Sequence, residues 1–259
     1  MTFDFATIND WLAIYILPFC RIAGMATSMA IIGTRMVSAR VRLSLALALA
    51  IVAAPMMPAG PAIELFSLTT IIQVALQTLI GLAIGFVTRV VLETFVVAGQ
   101  LVAMQTGLGF ASLIDQNTGV SVPTLGQMFV MMATLIFLAV DGHLRLIELV
   151  MLSFQSLPIT ESANLIVRLD LFVYWAEVIF ITAFMMVLSA IVALLIMNIS
   201  LGIMTRSAPQ LNIFAVGFPI MTIVGMTIIW LLLKSFLPHF INQIDRGHSM
   251  VCQLVLLEC

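Results

Sequence analysis

The uncharged run Val178-Ile-Phe-Ile-Thr-Ala-Phe-Met-Met-Val-Leu-Ser-Ala-Ile-Val-Ala-Leu-Leu-Ile-Met-Asn-Ile-Ser-Leu-Gly-Ile-Met-Thr205 decides the fold class of this chain. It is longer than the about 20 apolar residues that a helix needs to cross a bilayer. A second run without charge extends from Leu65 to Thr88. The sequence therefore predicts membrane-spanning helices.

The composition of the whole chain agrees with this prediction. Of its 259 residues, 63% are hydrophobic and 8% are charged, against about 25% charged in a typical soluble domain. The mean hydropathy is +1.22. We predict an all-α, polytopic integral membrane protein with about six hydrophobic helical segments arranged as helical hairpins. No linker is long or polar enough to separate domains, so we expect a single domain over residues 1–259.

Several classes of function lack support in the sequence. The net charge of −2 argues against a nucleic-acid partner. Cys20, Cys252 and Cys259 are scattered and predict neither a disulfide framework nor a metal site. Phosphate-binding loops, paired-histidine zinc motifs and nucleophile elbows are absent from the sequence, so we expect no cofactor and no enzymatic activity. A stand-alone secondary transporter or ion channel stays open, because helix number and composition permit it.

The first apolar segment extends from about Trp11 to Gly33 and has Arg21 near its middle. Asp4 and Asp10 precede it without any basic residue, which is not the pattern of a cleaved signal peptide. A guanidinium within a membrane helix is costly in lipid and is expected to face protein or water. The alternative is a helix displaced toward one interface, with the arginine reaching the headgroups.

The turn after this segment contains Arg35, Arg40 and Arg42. Positively charged residues are enriched in cytoplasmic loops. We therefore expect these three charges on the cytoplasmic side and the N-terminus outside. The following run from Leu43 to Met57 is short and ends in prolines.

The third segment contains Gly81 and Gly85, whose spacing lets helix backbones approach closely in a membrane. Arg89 and Glu93 follow at a spacing that places them on one helix face, where they can neutralise each other. A continuous helix from Ser67 to Gln105 would be roughly 60 Å long, about twice a hydrocarbon core. Either the chain turns near Arg89, or the helix leaves the bilayer inside a protein assembly.

Four further helical segments are expected in the second half of the chain: Thr124 to Val140, the shorter amphipathic His143 to Leu157, Val167 to Ser200, and Ala215 to Phe236. We expect Pro219 and Pro238 to break the last one, because proline removes a backbone donor and clashes with the preceding turn. The tail over residues 239–259 stays unassigned.

Between the third and fourth segments lies Gly107-Leu-Gly-Phe-Ala-Ser-Leu-Ile-Asp-Gln-Asn-Thr-Gly-Val-Ser-Val-Pro123, called here the 107–123 segment. Its glycines and proline disfavour a continuous helix. Its first half is nevertheless too apolar for an ordinary solvated loop. Irregular backbone at membrane depth occurs only when it is buried in protein or lines a cavity. The sequence therefore predicts a moving or pore-facing part, with a re-entrant packing loop as the alternative.

Three motifs together resemble the FliR family of flagellar and injectisome export-gate subunits. The first is Ala98-Gly-Gln-Leu-Val-Ala-Met-Gln-Thr-Gly-Leu-Gly-Phe-Ala-Ser-Leu-Ile-Asp115, and the second is Gly142-His143 with Ser153-Phe154 and Pro158. The third is Ala208-Pro-Gln-Leu-Asn-Ile-Phe214. The resemblance covers about residues 10–238. It departs at Gln116, where the family often has proline.

The resemblance implies a structural and gating role without catalysis. Members of the family assemble with FliP and FliQ into a helical export gate, with FlhB at its entrance and FlhA below it. The gate lies in the bacterial inner membrane within the flagellar basal body, among its ring and rod, and is displaced toward the periplasm. Its substrates are unfolded flagellar subunits. The other partner expected is membrane lipid, and an injectisome role for this member stays open.

The resemblance also assigns expected roles to individual residues. The matching segment forms a plug in the family, which predicts gating residues Gly107, Leu108, Gly109, Phe110, Ala111, Ser112, Leu113, Ile114, Asp115, Gly119 and Pro123. Assembly and packing residues are expected at Gly81, Gly85, Arg89, Glu93, Pro209, Gln210, Asn212 and Phe214.

Overall fold

The computed structural model describes residues 5–56, 67–110, 112–114, 121–159, 170–207 and 213–257. Its α-helices are α1 (Phe5–Ser28), α2 (Ala39–Ala53), α3 (Leu68–Gln105), α4 (Thr124–Ala139), α5 (Gly142–Ser156), α6 (Asp170–Ser207) and α7 (Ile213–Leu254). Two 3₁₀ turns occupy Ala54–Met56 and Leu108–Phe110, and two short strands are β1 (Ser112–Ile114) and β2 (Ser121–Pro123).

The prediction of an all-α membrane protein is confirmed. Within the described ranges, three helical spans are long and apolar enough to cross a bilayer: Leu68–Gln105, Val173–Ser207 and Gly217–Leu254. Ile14–Ser28 and Thr124–Ala139 are shorter apolar helices. The two three-residue strands were not predicted, because a strand this short leaves no periodic pattern in the sequence.

Helix α3 settles the alternative that the sequence left open around Arg89. The helix is continuous over 38 residues, which corresponds to about 57 Å at 1.5 Å per residue. The chain therefore does not turn between Arg89 and Glu93. The second alternative, that the helix leaves the bilayer inside a protein assembly, stays a prediction.

Helix α7 corrects the expectation that Pro219 and Pro238 break the last segment. Both prolines lie inside one helix of 42 residues that ends at Leu254. A proline removes a single backbone hydrogen bond, and in membrane helices neighbouring groups compensate for it. Buried side chains continue beyond Pro238, among them Phe240 and Val251. The tail left unassigned is therefore largely the end of α7.

The turn between α4 and α5 is set by Asp141, which has a left-handed backbone with φ of 55°. Its carbonyl accepts hydrogen bonds from the backbone of Leu144 at 2.9 Å and of Arg145 at 3.1 Å. Aspartate tolerates this conformation better than most residues. At the start of α2, the Ser38 hydroxyl accepts a hydrogen bond from the Val41 backbone at 3.4 Å and caps the helix.

The chain divides into two compact units. Unit 1 comprises Met1–Val90, Val140–Tyr174 and Arg246–Cys259, and unit 2 comprises Val91–Ala139 and Trp175–Asp245. In unit 1, α1 packs against α2 and α5. In unit 2, the core contains the buried rings of Phe95, Phe129, Phe236 and Phe240. The single domain expected over 1–259 stays a prediction.

Candidate functional site

Arg21 is the most deeply buried charged side chain among the described residues of unit 1, with 0% of its surface exposed. Its Nε donates to Gln77 Oε1 at 2.6 Å. Its Nη1 donates to the Ser153 carbonyl at 2.8 Å and to Ser153 Oγ at 3.0 Å. Its Nη2 donates to the Leu157 carbonyl at 2.9 Å. The expectation that Arg21 faces protein is confirmed, and its side chain does not extend out of the protein toward headgroups.

The charge of Arg21 is balanced by the end of a helix. All four of these acceptors are neutral oxygens, and Ser153 and Leu157 belong to the last turn of α5 and its C-cap. Unpaired carbonyls give a helix C-terminus about half a negative charge, which favours a cation there. The guanidinium also lies 4.4 Å from the centre of the Phe154 ring, where the face of the ring attracts a cation. Arg21 therefore connects α1 to both α3 and α5.

Gln77 leaves one polar atom unsatisfied beside Arg21. Its Oε1 accepts from the guanidinium, so its Nε2 points elsewhere, and Nε2 is buried without a hydrogen-bond partner. Gln77 and Ser153 could not be predicted as partners of Arg21, because they are separated from it by 56 and 132 positions. The only sequence signal was the arginine itself, which required some polar surroundings.

Gly81 and Gly85 lie where α3 crosses α1. A Cβ added at Gly81 would collide with the Arg21 carbonyl, and one at Gly85 would collide with the Ser28 hydroxyl and the Met25 carbonyl. Gly24, on the α1 side, would place a Cβ 2.5 Å from the Thr78 carbonyl. The two backbones therefore touch along this line, which is the geometry that small residues permit between membrane helices.

The other predicted side chains on α3 lie near the end of that crossing. Arg89 is exposed, and its Nε donates to the Ser28 carbonyl at 2.8 Å, which satisfies a free carbonyl at the end of α1. Glu93 is exposed, and its neutralisation by Arg89 stays a prediction. Arg35 and Arg40 are exposed and Arg42 is half-buried. Their cytoplasmic position also stays a prediction.

The 107–123 segment begins with a left-handed Gly107, whose φ is 76°. Only glycine adopts this conformation without a penalty, and it commonly ends helices in this way. The 3₁₀ turn follows, then β1 pairs antiparallel with β2, with Leu113 opposite Val122. Both strands and the 3₁₀ turn pack near α4.

The structure describes part of the predicted gating set. Gly107, Leu108, Gly109 and Pro123 are half-buried. Only the backbone is described for Phe110, Ser112, Leu113 and Ile114, and the predicted residues outside the described ranges are Ala111, Asp115 and Gly119. In the C-terminal motif, Pro209, Gln210 and Asn212 also lie outside, and Phe214 is described by its backbone alone, in the first turn of α7.

Aromatic side chains pack α3, α4 and α7 against one another in unit 2. Phe95 on α3 lies with its ring centre 5.1 Å from that of Phe236 and 5.4 Å from that of Phe240, both on α7. Phe129 on α4 contacts Phe236 edge-on at 5.6 Å. Such separations are typical of favourable aromatic pairs. This cluster was not predicted, because single phenylalanines in apolar runs carry no information about their neighbours.

Comparison with known proteins identifies the family. The family described as "Bacterial export proteins, family 1" matches residues 12–247. The flagellar biosynthetic protein FliR of Escherichia coli (strain K12) is 35% identical over 91% of either chain. The chain belongs to the FliR family of bacterial export proteins. FliR of Bacillus subtilis (strain 168) is 28% identical over 88% of this chain and 92% of its own.

Membership in the FliR family agrees with the features of the fold. The chain is a membrane-embedded component of flagellar protein export, and its apolar helices fit that location. Within the part of the chain that the structure describes, His, Cys, Asp and Glu side chains form no group of three that could hold a metal ion. The features that stand out are a buried cation, close helix crossings and a left-handed glycine after α3.

Proposed function

We propose that this chain is a structural and gating subunit of a flagellar export gate, and that the 107–123 segment plugs the channel. The observation that carries the proposal is the end of α3. A helix apolar enough to span a membrane is followed by a left-handed glycine, a 3₁₀ turn and a pair of short antiparallel strands. A glycine at this point lets the following residues change direction without breaking the helix before it.

The exposed surface of the chain supports assembly with other membrane subunits. Helix α6 exposes large apolar side chains along its length, including Phe180 at 64%, Met185 at 64% and Ile203 at 62%. A groove of about 540 Å³ between α3 and α6 is lined almost wholly by such side chains, among them Leu101 and Phe184. Surfaces of this kind require lipid or other apolar helices as neighbours.

The partners in this proposal are homologues of FliP and FliQ in the gate, with FlhB, FlhA and the ring and rod of the basal body around it. Unfolded flagellar subunits pass through the channel, and the chain itself catalyses no reaction. The gate lies in the inner membrane and is displaced toward the periplasm. The length of α3, about twice the thickness of a hydrocarbon core, supports a position in which part of the helix is surrounded by protein.

The plug is tested by deleting residues 110–114 and measuring leakage of small solutes or ions from cells. The deletion should increase leakage, because it removes apolar side chains that seal the channel, while the complex still assembles. The matched control is Gly202→Ala, because a Cβ at Gly202 meets no atom within 4 Å. A deletion complex as tight as the control would show that the segment is a packing loop.

Partner assembly is tested separately, by co-purification with FliP and FliQ homologues. Asn212→Leu should reduce the yield of the complex, because the amide is expected to satisfy backbone groups in the turn before α7. A stand-alone transporter would instead show ion-coupled uptake by the purified chain in liposomes. Uptake without partners would overturn the export-gate proposal.

A further inference from the structure

Thr106, the residue between α3 and Gly107, is hydrogen-bonded to α3 and packs against α7 in unit 2. It is completely buried, and its hydroxyl donates to the carbonyls of Val102 and Ala103, both at 3.1 Å. These bonds fix the side-chain rotamer, so the methyl group points in one direction. That direction is toward Gly225 on α7, where an added Cβ would lie 2.5 Å from Thr106 Cγ2 and 3.0 Å from Thr106 Cβ.

The absence of a side chain at Gly225 therefore makes room for the Thr106 methyl group. Glycine in a helix interior costs about 1 kcal/mol relative to alanine, and here the missing side chain leaves the space that the methyl group fills. The methyl group is fixed and its partner is helix backbone, so neither side can relieve this contact by rotating a side chain. A shift of α7 at Gly225 is therefore transmitted to the end of α3.

A second residue of α7 reaches the next position of the chain. Phe218 precedes Gly225 by two helical turns and so lies on the same face of α7. Its ring lies 3.7 Å from the position that a Cβ of Gly107 would occupy. One face of α7 thus contacts both Thr106, the residue that follows α3, and the left-handed glycine after it.

Helix α6 makes a weaker contact at the same place. Asn198 Nδ2 donates to the Gln105 carbonyl at 3.3 Å, and Asn198 is exposed. This carbonyl is one of the last of α3, which lack partners within the helix. The start of the 107–123 segment is thus held by a close packing contact with α7 and by a longer hydrogen bond from α6.

We propose that Thr106 and Gly225 form the pivot that sets the position of the 107–123 segment, so that movement of α7 opens and closes the plug. This inference rests on the proposed function. It adds the residues that position the plug, none of which lies within it. Thr106 and Gly225 are positioning residues, because both lie outside the segment that is proposed to seal the channel.

The test adds and then removes one methyl group at the pivot in the complete export-gate complex. Gly225→Ala places a methyl group against Thr106 and should shift the closed-to-open ratio by about tenfold, since overpacking a tight contact has an effect of this order. Thr106→Ser removes the opposing methyl group and keeps the hydroxyl. The double variant should therefore recover most of the tightness of wild type in the solute-leakage assay, and Gly202→Ala should match wild type.

Two results would overturn the pivot. One is leakage from Gly225→Ala equal to that from Gly202→Ala, and the other is failure of Thr106→Ser to rescue it. If Gly225→Ala prevents assembly, restored assembly in the double variant supports the pivot, and continued failure moves the test to Thr106→Ala alone. Thr106→Ala removes the methyl contact without adding an atom, and wild-type tightness in that variant would overturn the proposal.

A distance measurement separates failure of the pivot from failure of the plug. Spin labels attached to noncanonical amino acids at position 113 and at the exposed Met131 on α4, which leave the native cysteines in place, report the position of the segment directly. Gly225→Ala should broaden or shift the distance distribution, and Gly202→Ala should not. If deletion of 110–114 causes no leakage but this distance shifts, the proposed plug fails, while the Thr106–Gly225 contact still sets the position of the segment. An unchanged distance overturns the pivot whatever the deletion does.

Discussion

The two units share close glycine contacts between helices but differ in the other contacts of their cores. In unit 1 a single cation, Arg21, bonds to neutral oxygens on α3 and α5. In unit 2 the helices meet through the rings of Phe95 and Phe236 and through bare glycine backbone at Gly225. Hydrogen bonds are directional and costly to leave unmade, whereas contacts between rings and glycine backbone stabilise through close packing. The difference indicates that unit 1 depends on a directional cluster of hydrogen bonds and unit 2 on packing between rings and helix backbone.

Among the variants that test this comparison, Arg21→Leu is expected to lose the most stability. The variant leaves Gln77, Ser153 and the end of α5 without their buried donor, and should lower the free energy of unfolding by on the order of 5 kcal/mol. Thermal unfolding of the detergent-solubilised protein measures the loss. Arg35→Leu, at an exposed position, is the control and should change stability by less than about 0.5 kcal/mol. Equal effects of the two variants would remove the distinction between the units.

Phe240→Ala tests the aromatic core of unit 2 and should cost about 3–4 kcal/mol, because it opens a cavity beside Phe95. The same thermal measurement applies. Phe180→Ala, at a ring that is 64% exposed, should cost much less in the isolated chain. A loss at Phe240 as small as that at Phe180 would mean that the ring cluster does not hold the helices.

Gln77 separates hydrogen bonding from packing in unit 1. Gln77→Met fills a similar volume but removes the acceptor for Arg21 Nε, and should cost about 2 kcal/mol. Gln77→Glu keeps an acceptor there and removes the unpaired Nε2 donor, so it should be at least as stable as wild type at neutral pH. Greater stability of the methionine variant than of the glutamate variant would show that packing, and not the hydrogen bond, matters at this position.

The smallest effect is expected from Asn198→Ala. The bond from Asn198 to the Gln105 carbonyl is long and exposed, so its loss should change the free energy of unfolding by less than about 0.5 kcal/mol. Thr106→Val, which loses a buried hydroxyl at the neighbouring residue, is the internal comparison and should cost more. A larger loss of stability in Asn198→Ala would show that α6 holds the start of the 107–123 segment as firmly as α7 does.

Some parts of the molecule could be predicted from the sequence in more detail than others. Long uncharged runs predicted the apolar helices of α3, α6 and α7, because hydropathy depends on composition within one segment. Proline misled the prediction at Pro219 and Pro238, because the local cost of a proline is smaller than the packing that continues the helix on both sides. The 107–123 segment was predicted to be non-helical from its glycines, but its strand pairing was not, since two three-residue strands have no periodic signal.

What the sequence determined alone is the membrane character of the chain, its family, and the presence of an arginine that required polar surroundings. These depend on composition and on short motifs. Tertiary structure alone decided which groups surround Arg21 and which residue faces the methyl group of Thr106. Gln77, Ser153 and Gly225 are distant from their partners in the chain, and contacts between helices depend on how the helices cross, which no local pattern of residues specifies.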